Sequence, residues 1–293
     1  MDIPIRLVLL QAFTGVALGA IYVLVATGLS LIFGMLTVVN FAHGAFFMVG
    51  AYAGVFLLGQ GGNFWLSLLV VPLVVGLLGM LCERFLVRPL YGRGPDYPLL
   101  LTFGLAYVMV ELVRIGFGPE GREFGVPEAL QGSVQVGVGA FPIYRLFLVL
   151  ATGVIVLALW TVIGRTSYGL IIRAGARDPM ILRVLGINVP RVWTVVFGVG
   201  AAVAGLAGLL AAPIRGVSPE MGQPVLIEAF VVTVVGGMGS LPGAVVAGLL
   251  LGVVTSLTSL WLPEYAAVSM FGVMALILIL RPHGLAGREG LLS

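Results

Sequence analysis

The chain has 293 residues, of which 60% are hydrophobic and 9% charged, with a formal net charge of +3. A soluble domain carries roughly a quarter charged residues, so most of this surface faces lipid or other apolar helices rather than water. All 15 basic residues are Arg. That excludes a Lys-bearing phosphate loop and Schiff-base or pyridoxal chemistry, so any ATP used, with its magnesium, must be bound by a partner.

Cys82 is the only cysteine; no intrachain disulfide or Cys-based zinc site is possible, and it reads as a small buried hydrophobe. His43 and His283 are the only imidazoles, at opposite ends of the chain and outside any nucleophile motif. No catalytic residue and no metal site is expected.

A spanning helix needs about 20 apolar residues. In chain order the apolar segments are Leu7–Met35, Ala45–Leu58, Phe64–Leu81, Leu99–Phe117, Ile143–Ile163, Val192–Ala212, Val225–Val235, Ala244–Leu262 and Ala266–Leu280. The first is too long for a secretory signal peptide and lacks a cleavage site. Continuous apolar runs predict a single membrane domain over residues 1–293, all-α, with eight to ten hydrophobic helices. Ala45–Leu58 and Val225–Val235 are short and border the turn-like segments Thr37–Gly44 and Gly236–Gly243. Two readings are open: discontinuous or re-entrant helices of the kind transporters use, or ordinary short, tilted helices.

Arg84, Arg88 and Arg93 follow the third segment; Arg165, Arg173, Arg177, Arg183 and Arg191 lie in the connection after the fifth; Arg281 and Arg288 lie in the tail. By the positive-inside rule these regions are cytoplasmic. The connection Gly118–Pro142, with Glu120, Glu123 and Glu128, then lies outside, as do the turns with Glu220 and Glu264. Nine crossings place the N-terminus outside and the C-terminus inside; a re-entrant segment changes the count but leaves the C-terminus cytoplasmic. Gly15/Gly19, Gly50/Gly54 and Gly248/Gly252 recur at one-turn spacing, the pattern that lets helices approach closely in lipid.

Three segments and a few charges carry the functional signal. In Asn40-Phe41-Ala42-His43-Gly44, Asn40 and His43 either cap helices or line a polar break in a pathway. In Gly236-Gly237-Met238-Gly239-Ser240-Leu241-Pro242-Gly243 the glycines forbid a regular helix, Ser240 suits an N-cap and Pro242 the first turn beyond it. That helix start either faces a substrate carboxylate or closes a tight turn between antiparallel helices. Between Arg165 and Arg191, residues Arg177 to Asn188 predict a short amphipathic helix. Asp178 is its N-cap, Pro179 its first residue, Ile181, Leu182, Val184 and Leu185 its apolar side, and Gly186 its stop. Such a helix lies on anionic lipid or docks in a partner's groove; the missing ATP site favours docking. Glu111, Arg114 and Glu228 are candidate intramembrane charges, with Glu111 and Arg114 one turn apart.

These segments resemble the LivH-type permeases. Asn40–Gly44 is similar to that family's hallmark after the first helix, and Gly175–Asn188 to its cytoplasmic coupling loop. Ala229-Phe230 through Ala244 resembles its late glycine-rich motif, and Arg281-Pro282-His283-Gly284-Leu285 its C-terminal end. The resemblance implies a permease subunit of an ABC importer for leucine, isoleucine and valine in a bacterial inner membrane. Its partners would be a second, related permease, two ATPases that bind ATP and magnesium, and an extracytoplasmic binding protein, with no nucleic acid involved. It implies that Arg177, Asp178, Ile181, Leu182, Gly186 and Ile187 couple to an ATPase. It also implies that Asn40, His43, Gly44, Gly237, Gly239, Ser240, Pro242 and Gly243 lie near the path. Leu182 stands where the family usually has Ala, Glu228 stands where a basic residue is expected, and Glu111 is unusual for its helix. Relatives that import urea, short amides or other amino acids keep the cargo open. A stand-alone secondary transporter would have to use Glu111 or Glu228 as its ion site.

Overall fold

The computed structural model describes residues 5–36, 39–94, 96–137 and 139–287; Thr37, Val38 and Arg288 lie outside the described residues. Its helices are α1 Ile5–Leu36, α2 His43–Gly59, α3 Phe64–Cys82, α4 Asp96–Phe117, α5 Ile143–Arg165, α6 Ser167–Arg177, α7 Pro179–Val184, α8 Val189–Arg215, α9 Gly222–Gly236, α10 Leu241–Trp261 and α11 Ala266–Leu280. Seven helical stretches are long and apolar enough to span a membrane, and α2 and α9 are shorter apolar helices. That makes nine hydrophobic helices among the described residues, within the expected range, in an all-α multi-pass membrane protein. Helices dominate because backbone N–H and C=O groups in lipid must be paired within the segment itself.

Burial sorts the helices into a centre and a rim. In their most apolar stretches 83% of α1 and 78% of α8 is buried, against 11% of α5 and of α11. The centre is held by backbone proximity. A Cβ on Gly19 would lie 2.8 Å from Gly248 O, and one on Gly15 would lie 2.6 Å from Val253 Cα. The glycine pairs on α1 and α10 therefore face each other, and Gly50 and Gly54 pack against Gly205 and Leu209 of α8. With no hydrophobic drive between helices in lipid, such contact is a main source of association.

The short helix α2 starts inside the bundle. The Nε2 atom of His43 lies 2.9 Å from Val25 O. Val25 is eleven residues before Leu36, the end of α1, or about 16 Å along the axis at 1.5 Å per residue. The chain therefore turns back after α1 and restarts as a helix part way along it. Beside it, α9 starts with Gly222, whose backbone touches that of Gly44 in the first turn of α2. The first turns of the two short helices thus meet inside the bundle, at the level of Val25 of α1.

Some elements were not legible. The connection Gly118–Pro142 holds an antiparallel hairpin, β1 Ser133–Val136 and β2 Gly139–Pro142, with Val136 opposite Gly139. Residue 122 pairs with Val217 through Arg122 N–H to Val217 O at 2.7 Å and Val217 N–H to Arg122 O at 3.1 Å. After Cys82 the helix passes through a π-turn, Glu83–Val87, and a 3-10 turn, Arg88–Leu90.

Candidate functional site

The amphipathic helix expected after Arg177 is α7. Asp178 caps it: Oδ1 accepts from Met180 N–H at 2.8 Å and Ile181 N–H at 3.3 Å. Gly186 ends it with φ +76°, a left-handed conformation that suits glycine. Met180, Ile181, Val184 and Leu185 are exposed on one side, and Arg177 and Gly186 are exposed beside them. Leu182 points the other way, only 2% exposed, against the Cα of Gly175. It is therefore a prop beneath the helix, and Ile187 is half-buried. A Cβ on Gly175 would lie 2.9 Å from Leu182 Cδ1, so these two residues fit each other and the Leu182 departure has a local partner.

A cluster missed in the sequence sits next to α7. Glu83, fully buried, accepts from Arg88 Nη2 at 3.0 Å, Arg88 Nε at 3.3 Å, Tyr91 OH at 3.1 Å and Thr194 Oγ1 at 2.6 Å. Arg88 also donates to Pro190 O at 3.0 Å and bonds Thr194 Oγ1. Burial first, then the Glu83 carboxylate, holds the Tyr91 phenol well above its ordinary value, so it stays a donor. The cluster ties the end of α3 to the first turn of α8, just beyond α7. Arg88 counted in the sequence only as a sidedness charge. The signal for more was one acidic residue, Glu83, opening an otherwise basic stretch.

The expected path residues fall in different places. Asn40, His43 and Gly44 are buried. Asn40 Oδ1 accepts from Ala42 N–H at 3.1 Å. Because Val25 O can only accept, His43 carries its proton on Nε2. Asn40 Nδ2 and His43 Nδ1 have no hydrogen-bond partner among the described residues. Ser240 caps α10, its Oγ accepting from Gly243 N–H at 3.2 Å, with Pro242 in the first turn. Gly237 and Gly243 are buried, and the backbones of Gly243 and Gly236 touch. Gly237, with φ +96°, and Gly239, with φ +80°, make the turn. The tail completes it: Leu285 N–H bonds Val235 O at 2.8 Å and Ala286 N–H bonds Gly236 O at 3.0 Å, capping the last carbonyls of α9. The glycine-rich and C-terminal motifs thus interlock. Pro242 is exposed and lines a shallow apolar cavity of about 350 Å³ with Thr27, Trp160 and Val246.

Glu228, Glu111 and Arg114 are each paired with an opposite charge, and Arg145 donates to Thr14 Oγ1 at 2.9 Å. Glu228 accepts from Arg215 Nη1 at 2.8 Å and from Tyr22 OH at 3.3 Å, and the Arg215 guanidinium lies 5.7 Å from the Tyr22 ring centre. The acidic residue at 228 is thus balanced by a cation at the end of α8, which spacing along one helix could not reveal. Arg114 Nη1 lies 3.4 Å from Glu111 Oε2, and its Nη2 lies 2.5 Å from Glu220 Oε1. The Arg114 guanidinium holds the Glu220 carboxyl below the usual range.

These last three charges rim a groove of about 330 Å³ between α4 and the first turn of α9. Its walls include Phe41, Phe103, Tyr107 and Leu226, and Gly44 and Gly222 also line it. Phe103 makes edge contacts with Phe41 at 6.0 Å and with Tyr107 at 5.0 Å between ring centres. The groove joins the first sequence segment, through Phe41 and Gly44, to the intramembrane charges. Proximity of Glu220 to Arg114 was not readable, because it depends on how α9 starts.

Comparison with known proteins agrees with this architecture. The chain is 32% identical over 297 residues to the high-affinity branched-chain amino acid transport system permease protein LivH of Escherichia coli (strain K12), covering 95% of each. It is 31% identical over 292 residues to LivM, a permease protein of the high-affinity branched-chain amino acid transport system of the same organism, covering 90% of this chain and 67% of LivM. It shares its fold with a chain of PsaBC from Streptococcus pneumoniae in complex with Fab, with a TM-score of 0.52 at 8% identity over 91% of this chain and 89% of that one. The family model for the permease component of the branched-chain amino acid transport system matches residues 11–280, and with the interlocked motifs and short helices described above it places the chain in that family.

Proposed function

We propose that the chain, acting as one permease domain over residues 1–293, is a membrane subunit of an ATP-driven importer for leucine, isoleucine and valine in a bacterial inner membrane. A second, related permease completes the path; similarity to both LivH and LivM supports such a pair. Two separate ATPase subunits bind ATP and magnesium, and an extracytoplasmic binding protein delivers the amino acid at the face bearing Gly118–Pro142. The Arg distribution supports a cytoplasmic C-terminus and a cytoplasmic α7.

The observation that carries this reading is the exposed ridge of α7. Met180 is 73% exposed, Val184 83% and Leu185 68%, on a helix capped at both ends and propped by Leu182. A preformed apolar ridge of this kind suits a groove on another protein. Through Val189, Pro190 and Thr194 its movement is passed to α8 and, by the Glu83–Arg88 cluster, to α3. Transport then follows from shifting the balance between outward- and inward-open arrangements, not from bond chemistry. Glu111 and Glu228 each face a guanidinium, which weighs against either as the ion site of a stand-alone transporter.

The test replaces Ile181 and Val184 with Asp. Both side chains are exposed, so the fold is retained while the ridge becomes charged. Expected are loss of ATP-dependent leucine uptake and loss of ATPase co-purification; unchanged uptake with retained ATPase overturns the docking.

A further inference from the structure

We propose that the groove rimmed by Glu111, Arg114 and Glu220 binds a zwitterionic amino acid with a bulky apolar side chain, an inference that rests on the permease reading above and assigns its cargo a site in this chain. The volume of about 330 Å³ falls in the range of small-ligand cavities, about 300–1,000 Å³. Its two ends differ in chemistry. One end is aromatic and aliphatic, with Phe41, Phe103, Tyr107 and Leu226, and the other holds all the charge.

The charge balance at the rim selects the ligand. One guanidinium stands with two carboxylates, leaving an excess negative charge at neutral pH. An ammonium placed between Glu111 and Glu220 cancels that excess. Arg114 Nη1 lies 3.4 Å from Glu111 Oε2, at the outer limit of hydrogen bonding, so the Glu111 side of the guanidinium can be exchanged for a ligand carboxylate. A planar guanidinium suits bidentate carboxylate recognition. The first turns of α2 and α9 border the same groove, and neither is capped by a side chain, so their dipoles favour the same carboxylate.

Such charges do not serve stability well. Glu111 is 61% exposed, Glu220 55% and Arg114 40%, and exposed ion pairs contribute little. In a chain with 9% charged residues, three of them meet at one groove whose remaining walls, Gln223 apart, are mostly apolar. With its head at the rim, the ligand's side chain points down the groove past Tyr107 to Phe103. An uncharged urea or a short amide has nothing to offer the excess charge. A carboxylic acid without an ammonium is repelled by it.

The test uses the complete permease–ATPase complex in nanodiscs, without binding protein, and measures binding of labelled leucine and its competition by isovalerate, isoamylamine and urea. Expected is saturable leucine binding, with isovalerate, isoamylamine and urea each competing at least about tenfold more weakly. Arg114→Gln and Glu111→Gln should each weaken leucine binding about tenfold or more, as losing a charged hydrogen bond does. Equal leucine binding in the variants, or competition by isovalerate as strong as by leucine, overturns the proposal. If Arg114→Gln fails to reach the membrane, Leu226→Trp fills the groove while leaving the charges, and undiminished leucine binding then overturns it. Wild-type uptake of leucine with no binding to the wild-type complex sinks the groove alone. Absence of leucine uptake by the whole transporter sinks the permease reading for this cargo.

Discussion

The Glu83–Arg88 cluster predicts an asymmetric response to its two halves. Glu83 is fully buried, whereas Arg88 is 29% exposed. In Arg88→Ala the carboxylate stays in place with only the Tyr91 and Thr194 hydroxyls, and an uncompensated buried charge costs about 3–5 kcal/mol. In Glu83→Ala the guanidinium keeps Pro190 O and the Thr194 hydroxyl and can turn toward water. The loss is then about 1–2 kcal/mol, the order of an ordinary lost hydrogen bond to a charged group. The double variant removes both charges and should cost less than the sum, leaving a coupling of about 2 kcal/mol. Denaturant unfolding of the purified protein in mild detergent, followed by tryptophan fluorescence, measures all three; Trp193 lies against Tyr91, 4.9 Å between ring centres, and reports the region directly. Equal costs for the two single variants, adding within about 0.5 kcal/mol, would refute the view that a buried carboxylate organises this junction.

Leu182→Ala should lower stability by about 2–4 kcal/mol, since the side chain is buried against Gly175, while Ile181→Ala, on the exposed side, should leave melting unchanged and impair coupling only. Gly44→Ala sets a methyl against the Gly222 backbone, with Leu226 Cβ 3.0 Å away; leucine uptake should fall sharply with protein still in the membrane, and wild-type uptake would show that the two helix starts separate easily. Arg215→Met should destabilise more than the paired Arg215→Met, Glu228→Gln change, because the single variant leaves Glu228 only 19% exposed without its cation; thermal unfolding distinguishes them. Glu220 is held below the usual carboxylate range by Arg114, so its contribution is fully present at neutral pH and is lost only as pH falls through that lowered value. The melting difference between wild type and Glu220→Gln should therefore persist to mildly acidic pH and close below it.

The long apolar helices and both functional turns were legible because each is written in local chemistry. Hydropathy marks α1 and α8, Asp178 and Pro179 mark the start of α7, and the glycines mark the break after α9. Sidedness charges were legible as a count but not as partners. Arg88 meets Glu83 and Thr194, residue 215 meets 228, and Arg114 meets Glu220 through helix crossings that no single periodicity encodes. The hairpin after Gly118 was missed because its strands are only four residues each. Leu182 looked like part of the docking face because its side of so short a helix depends on Gly175 beneath it. Where the short apolar segments start was undecidable from length; the His43–Val25 contact shows that α2 starts part way along α1.

The tail that lies over the end of α9 has a practical consequence for handling this protein. Leu285 and Ala286 donate the bonds that close Val235 and Gly236, and Gly284 stands so close to Gly237 that a Cβ there would lie 2.6 Å from the Gly237 nitrogen. Leu285 and Ala286 therefore form a clasp over the end of α9 that is made only after α11 has been synthesised. A chain cut before Gly284 would keep α1 to α11 and still leave the glycine turn unlatched. Purification tags placed within Gly284–Gly287 would disturb the clasp, and deletion of those four residues should read as a transport defect rather than as a missing protein.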